Sequence, residues 1–355
     1  VTYRVFTVST STWKDVVEVK PKTTPWGRKL GEGSGYSSDF VLSDPDIAAT
    51  VGKLEPESRA LIVDYDGVIM YCGLITDDDY DHDTQTLKID HEDLMWMLME
   101  LRLIAQDRTS SMPSWKQTYS GLVYDTIIKR VVQLATTGAG RDVPMVYEAD
   151  YAGGRSRTYN GYNADSALDA IEEIMNLENG PDVDFRPRWN AARDGVEFIL
   201  RTGFMNPDGN MIEVNFSADQ SPGQRLKRKR SGQERATQVI AIGEGSGVDM
   251  KVRSAGSSGA FALERAEQSK NIKDGTQLSE FAQGELSTRG SLVTQYSCDI
   301  DMSSPAIKTF WDLQPGTTLR WYVSGDPAIT TGWRESTIIE FSGDLESDFV
   351  HIEMQ

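Results

Sequence analysis

Residues Leu54 to Ile104, LEPESRALIVDYDGVIMYCGLITDDDYDHDTQTLKIDHEDLMWMLMELRLI, carry three segments of strand-type alternation, an acidic turn and a helix that follows a capping signal. Leu61, Val63 and Tyr65 share one face at a period of two. After the Asp66-Gly67 dipeptide, which favours a tight hairpin, Val68, Met70 and Cys72 alternate again. Beyond a polar loop from Asp77 to Asp83, Leu87 and Ile89 alternate with Lys88 and Asp90 and supply a third strand. The stretch reads as a β-meander. At Asp90 the spacing turns helical: Asp90 caps the first turn, Asp93 takes the third helical position, and Leu94, Met97, Leu98, Leu101 and Ile104 recur at helical intervals. Met95, Trp96 and Met99 fill other faces, so the helix is expected to be enclosed by its neighbours and to plug or seal a barrel.

At 355 residues the chain exceeds what one hydrophobic core usually organises, which predicts two or three domains. No run approaches the roughly eighteen apolar residues of a membrane span, and VTYRVFTVST lacks the layout of a secretory signal, so a soluble protein made without that export route is expected. Cys72 and Cys298 lie on strand-like segments far apart, without metal-site spacing, and read as core thiols. His82, His91 and His351 fall in a turn, at a helix start and on a terminal strand, with no mutual zinc-binding spacing. No metal or cofactor is expected.

The formal net charge of −18 argues against a nucleic-acid-binding protein, because affinity for phosphates rests on Lys and Arg. One run runs counter to this balance: Arg225, Lys227, Arg228, Lys229 and Arg230, bracketed by Pro222-Gly223 and Ser231-Gly232. It reads as a solvated interdomain loop, as a loop that meets an acidic surface of a neighbouring subunit or, least favoured by the overall charge, as a nucleic-acid contact.

Tyr3, Val5, Phe6 and Val8 mark a first strand, and Val16, Val17 and Val19 a second; Trp26 to Phe40, rich in Gly and Ser, reads as loop. Residues 1–105 are thus expected to form a first tube-type β-barrel with a closing helix. Residues 106–235 read as an α+β middle domain. It has helices at Val123–Leu134 and Ala164–Glu178, the latter started by Asn163, strands around Asp194-Gly195, and a strand over Ile212, Val214 and Phe216. Residues 236–355 open with a strand at Thr237–Ile242, pass through a polar excursion with a helix at Leu278–Leu286, and end in strands, giving a second barrel. The fold class is α+β, mainly β, with two similar barrels flanking or interleaved with an α+β domain.

The last strands repeat the first meander. Leu54-Glu-Pro56 precedes Leu61 and Val63 as Leu313-Gln-Pro315 precedes Leu319 and Trp321, and Pro56/Pro315 and Gly73/Gly332 are both offset by 259 positions. The segment GEGSG also occurs twice, at Gly31–Gly35 and Gly243–Gly247, an echo that shared loop composition alone can produce.

No stretch forms a nucleophile elbow or a phosphate loop: the serine of GEGSG is fourth, and Tyr36 and Val248 stand where GxGxxG needs its last glycine. Asp77–Asp83 lacks the glycine and glutamate of a calcium loop and reads as a solvated hairpin tip. Glu172-Glu173 lies on the polar face of a helix. No catalytic residues are assigned. Trp13, Trp26, Trp115, Trp189 and Trp333 could stack on sugars or anchor cores.

The order of the opening meander, the strand-to-helix segment TLKIDHEDLMWMLMELR, VIAIGEGSG and the closing LQPGTTLRWYV and GWRESTIIEF resembles the tail-hub family of long-tailed bacteriophages, also called baseplate hub or minor tail proteins. The resemblance spans most of the chain and implies two β-barrels flanking an α+β portion. It also implies a homotrimer whose six barrels match a hexameric tail-tube ring, with the tape-measure protein, downstream tip or receptor-binding proteins and transiently passing DNA as partners. The location implied is the virion tail tip, assembled in the host cytoplasm without membrane insertion. Many such hubs continue into a receptor-binding or wall-degrading domain. This sequence stops at Gln355, so host contact is expected to rest with other proteins. Two rivals stand beside this reading: a carbohydrate-binding module, which needs aromatics on one exposed face, and a cell-wall hydrolase, which needs a convergent carboxylate pair.

Overall fold

A computed structural model describes residues 3–203, 211–233, 235–257, 259, 261–269, 272–291, 293–305, 307 and 313–355. The first block runs β1 (Tyr3–Ser9), β2 (Val17–Val19), β3 (Trp26–Lys29), β4 (Gly35–Val41), a short α1 (Pro45–Ala48), β5 (Arg59–Tyr65), β6 (Val68–Asp81), β7 (Thr86–Asp93) and α2 (Leu94–Leu101). Six of these strands form one sheet in the order β2-β1-β5-β6-β7-β4. The sheet curls onto itself where the Lys22 amide donates to the Asp39 carbonyl at 2.7 Å and the Asp39 amide to that of Thr23 at 3.1 Å. The meander is present as read, and the Asp66-Gly67 turn takes positive φ at both residues.

Every residue of β5 is buried, because both faces of this sheet are covered. Leu61, Val63 and Tyr65 face the inside of the curl, while Ala60 and Ile62 face the helices. The strand β7 continues to Asp93, three residues past the expected helix start, since Asp90 to Asp93 stay in ladders with β4 and β6. Asp93, not Asp90, caps α2 through the amides of Met95 and Trp96. The helix does not plug the curl. Leu94, Met95, Trp96 and Met99 pack outside it, against the middle of the chain, and Leu101 is exposed.

His91 is not at a helix start but deep in β7, fully buried between the Ser38 hydroxyl (2.9 Å) and the Tyr71 hydroxyl (3.1 Å). Burial pushes its pKa down to about 4. Below about pH 6.5 the unfolded chain binds a proton at this ring that the folded chain refuses until about pH 4, so stability falls as pH falls through that window. The loss reaches about 3 kcal/mol. Burial also pushes neighbouring Asp93 up to about 7, against the pull of Arg28, and this group titrates in the opposite sense. Comparing urea unfolding of the natural chain with His91→Gln between pH 4 and 6.5 isolates the imidazole: the variant lacks that part of the acid destabilisation.

The middle block contains β8 (Lys116–Leu122), α3 (Tyr124–Thr136), β9 (Met145–Val146), β10 (Ala152–Asn160), α4 (Ala167–Met175), β11 (Asp182–Trp189) and β12 (Val196–Gly203). β10 pairs with β8, and β11-β12-β9 form a three-stranded sheet. α4 begins three residues later than expected. Ala164 sits in the left-handed region, and Ser166 and Asp169 make a reciprocal capping box. Asp64 ties this block to β5, its carboxylate accepting from Trp189 Nε1 at 2.6 Å.

The remaining elements are β13 (Met211–Asn215), β14 (Gly223–Ser231), β15 (Gln238–Ile242), β16 (Val252–Gly256), β17 (Glu264–Gln268), α5 (Gly275–Arg289), β18 (Val293–Asp301), β19 (Thr318–Val323), β20 (Gly332–Gly343) and β21 (Phe349–Met354). A second curled sheet has the order β13-β19-β20-β21-β18-β14, with β3 paired to β20. It therefore starts at Met211, inside the span expected to be middle domain. The polar excursion is a separate unit, β16-β15-β17 under α5, and α5 packs on the middle block: a Cβ at Gly284 would lie 2.6 Å from the Asn176 carbonyl. The second GEGSG belongs to this unit and the first to the β3–β4 connection, so the two are unrelated.

The repeated corner is real. Leu54 and Leu313 are buried; Glu57 and Gly316, each following its proline, take positive φ; and their amides donate to the carbonyls of Ile75 and Ile338 at 2.8 and 2.7 Å. Three strands then follow in antiparallel order each time, β5-β6-β7 and β19-β20-β21. Gly73 and Gly332 are not equivalent. Gly73 lies mid-strand beneath the Tyr71 ring, whereas Gly332 opens β20 with free space around it, because the β19–β20 connection is longer than the two-residue turn at 66–67. The inner faces of both sheets merge in one core.

Candidate assembly surface

β3 is where the two sheets meet. Expected to be loop, it follows β2 of the first sheet yet pairs with the second, Lys29 opposite Glu340 and Trp26 opposite Gly343. Gly27 permits the approach, since a Cβ there would sit 2.8 Å from Ser342 Cβ and 2.9 Å from the Phe341 carbonyl. Arg28 is buried. Its guanidinium pairs with Asp184 of β11 and donates to Gln314 Oε1 at 2.8 Å, so one side chain fastens all three blocks.

The five basic residues form a strand, not a loop. Arg225 to Arg230 lie in β14, which pairs with β18 on one side and ends the sheet on the other. Arg225 pairs with Asp299 at 3.0 Å, and Arg228 donates to the Ala328 carbonyl. Among the described residues Lys227, Lys229 and Arg230 make no ion pair; all three are exposed. The acidic stretch is likewise mostly strand: β6 runs to Asp81, and only His82 to Gln85 form the tip. Asp81 accepts from the amides of Asp83 and Thr84, which holds its carboxyl below the usual range.

Trp26 is fully buried, Trp13 packs edge-on to Phe198, and Trp189 packs on Phe6, so these aromatics are anchors. Trp115 is half-buried against the same core. Trp333 is exposed, beneath Arg320. Of the five, Trp333 alone is exposed. Cys72 and Cys298 are buried thiols, and burial pushes the Cys298 thiol up to about 12. His351 Nδ1 lies 2.8 Å from Asp299. Among the described residues no group of three His, Cys, Asp or Glu is placed to hold a metal ion, and no helix is long and apolar enough to cross a membrane.

No protein-family model and no curated protein matches the sequence. Three solved structures are similar over nearly the whole chain. A tail protein from Neisseria meningitidis MC58 has a TM-score of 0.60 at 12% identity, covering 100% of this chain and 96% of that one. The 43 kDa tail protein of prophage MuSo2 from Shewanella oneidensis has a TM-score of 0.60 at 10% identity, covering 100% and 98%. Prophage tail protein gp18 from Listeria monocytogenes EGD-e has a TM-score of 0.52 at 6% identity, covering 99% and 94%. The mainly β, α+β architecture of this chain is therefore a fold that it shares with these tail proteins.

Proposed function

We propose that this chain is a structural protein of a phage tail, the homotrimeric hub that joins the hexameric tail tube to the tip and forms part of the DNA-exit channel. The observation that carries this reading is the pair of curled sheets built from the same meander and the same Leu-x-Pro corner. One chain thereby offers two similar units. Three chains offer six, which matches a six-fold partner while keeping three-fold symmetry towards the tip. The fold shared with tail proteins, one of them from a prophage, supports the setting.

Its partners in this role are further copies of itself, the tube ring, the tape-measure protein and downstream tip proteins, and its place is the virion. The role needs no catalysis and no cofactor. An excess of carboxylates, −18 over the chain, suits a passage that phosphate backbones must cross without sticking. Sedimentation equilibrium of the purified chain tests the reading: the expected mass is three times the 39.5 kDa of one copy, and a chain that stays monomeric or stops at a dimer contradicts it.

A further inference from the structure

Two strand edges in this chain are open and oppositely charged. β5 leaves β6 at the Ala60–Leu74 pair, so from Thr76 to Asp81 β6 is hydrogen-bonded to β7 alone. That stretch carries Asp77, Asp78, Asp79 and Asp81, all exposed, with Asp83 at the tip. Lys88, opposite Asp79, pairs with Asp90 instead. Among the described residues Asp77, Asp78, Asp79 and Asp83 make no ion pair. The second edge is β14. Its outer side is the end of the second sheet, and its last rungs, Lys229 to Ser231 against β18, run past Tyr296, the last β18 residue that β21 reaches.

Each free stretch is about six residues, roughly 20 Å of extended chain. Unpaired edges template the addition of another strand, and charges on them decide which strand is admitted. β14 against a second β14 would set cations against cations. The β6 extension against a second copy of itself would set carboxylates against carboxylates. Only β6 against β14 brings opposite charges together, so the charges exclude both two-fold pairings and admit the head-to-tail one.

We propose that copies of this chain associate by strand addition between the acidic β6 extension of one copy and the basic β14 edge of the next. This rests on the hub reading and specifies its contact. A head-to-tail contact closes into a ring when the rotation allows, and it places the first sheet of each copy beside the second sheet of its neighbour, so the two kinds of sheet alternate around the axis.

A charge-reversal cycle tests it. Lys227→Glu with Lys229→Glu and Arg230→Glu makes β14 acidic, and Asp77→Lys with Asp78→Lys and Asp79→Lys makes β6 basic. Folding of each is checked by circular dichroism, and neutral versions with Gln and Asn serve where a reversed chain does not fold. By sedimentation at low salt, each reversal alone should weaken assembly at least about 100-fold. The chain carrying both should recover the natural trimer. Single reversals that assemble like the natural chain overturn this contact and leave the hub standing. Single reversals that fall apart without recovery in the combined chain overturn the pairing of these two edges. A natural chain that never assembles overturns the hub and the contact together.

Discussion

Replacing Arg28 with alanine is expected to lower the unfolding free energy by about 3–5 kcal/mol. The guanidinium and the Asp184 carboxylate it pairs with are both buried, and the second carboxylate oxygen of Asp184 has no other hydrogen-bond partner among the described residues. Truncation therefore leaves a buried carboxyl group without its partner rather than removing a contact of modest value. Gln314 loses a partner as well, and the Phe341 ring loses the cation 5.8 Å from its centre. The matching control is Arg28→Met with Asp184→Leu, which removes both charges and should recover much of the loss. Urea unfolding followed by circular dichroism measures both. Equal losses in the single and double variants would mean that the pair does not bear on stability in this way.

Trp26→Ala should cost about 3–5 kcal/mol for a different reason, the cavity left by a fully enclosed indole. Trp26 lies at the seam: its ring is 5.9 Å from Tyr3 of the first sheet and 5.4 Å from Phe341 of the second. Its Nε1 has no hydrogen-bond partner among the described residues, so Trp26→Phe removes volume without orphaning a polar group and should cost much less. The same unfolding experiment separates the two variants. A similar loss in both would point to polar recognition of the indole rather than packing.

Both residues lie in a segment that its own sequence does not mark as a strand. Trp26-Gly-Arg-Lys29 follows Pro25, runs into the glycine-rich stretch from Gly31 and shows no alternation, and it becomes β3 only because β20, near the other end of the chain, supplies the partner. The basic run of β14 was unreadable as a strand for a related reason. An edge strand exposed on both faces has no apolar period to show, and the polar strands β8 and β10 escape notice in the same way.

Where apolar residues recur at a regular interval, the pattern was sufficient: Leu61, Val63 and Tyr65, the turn at Asp66-Gly67, and α3 all stand where their spacing put them. The helix caps were off by three residues: ladder pairing carries β7 on to Asp93, and a left-handed Ala164 followed by the Ser166–Asp169 capping box displaces Asn163. The repeated Leu-x-Pro corner was legible from its offset. The open edges were not, since the β5–β6 pairing ending at Ala60 and Leu74 while β6 continues is a property of the ladder.

The most direct test of the account is electron cryo-microscopy of the assembled chain viewed down its axis. It predicts three-fold particles with six lobes at similar radius, first and second sheets alternating around a central opening. A two-fold particle, or one with three sheets inside and three outside, would contradict it.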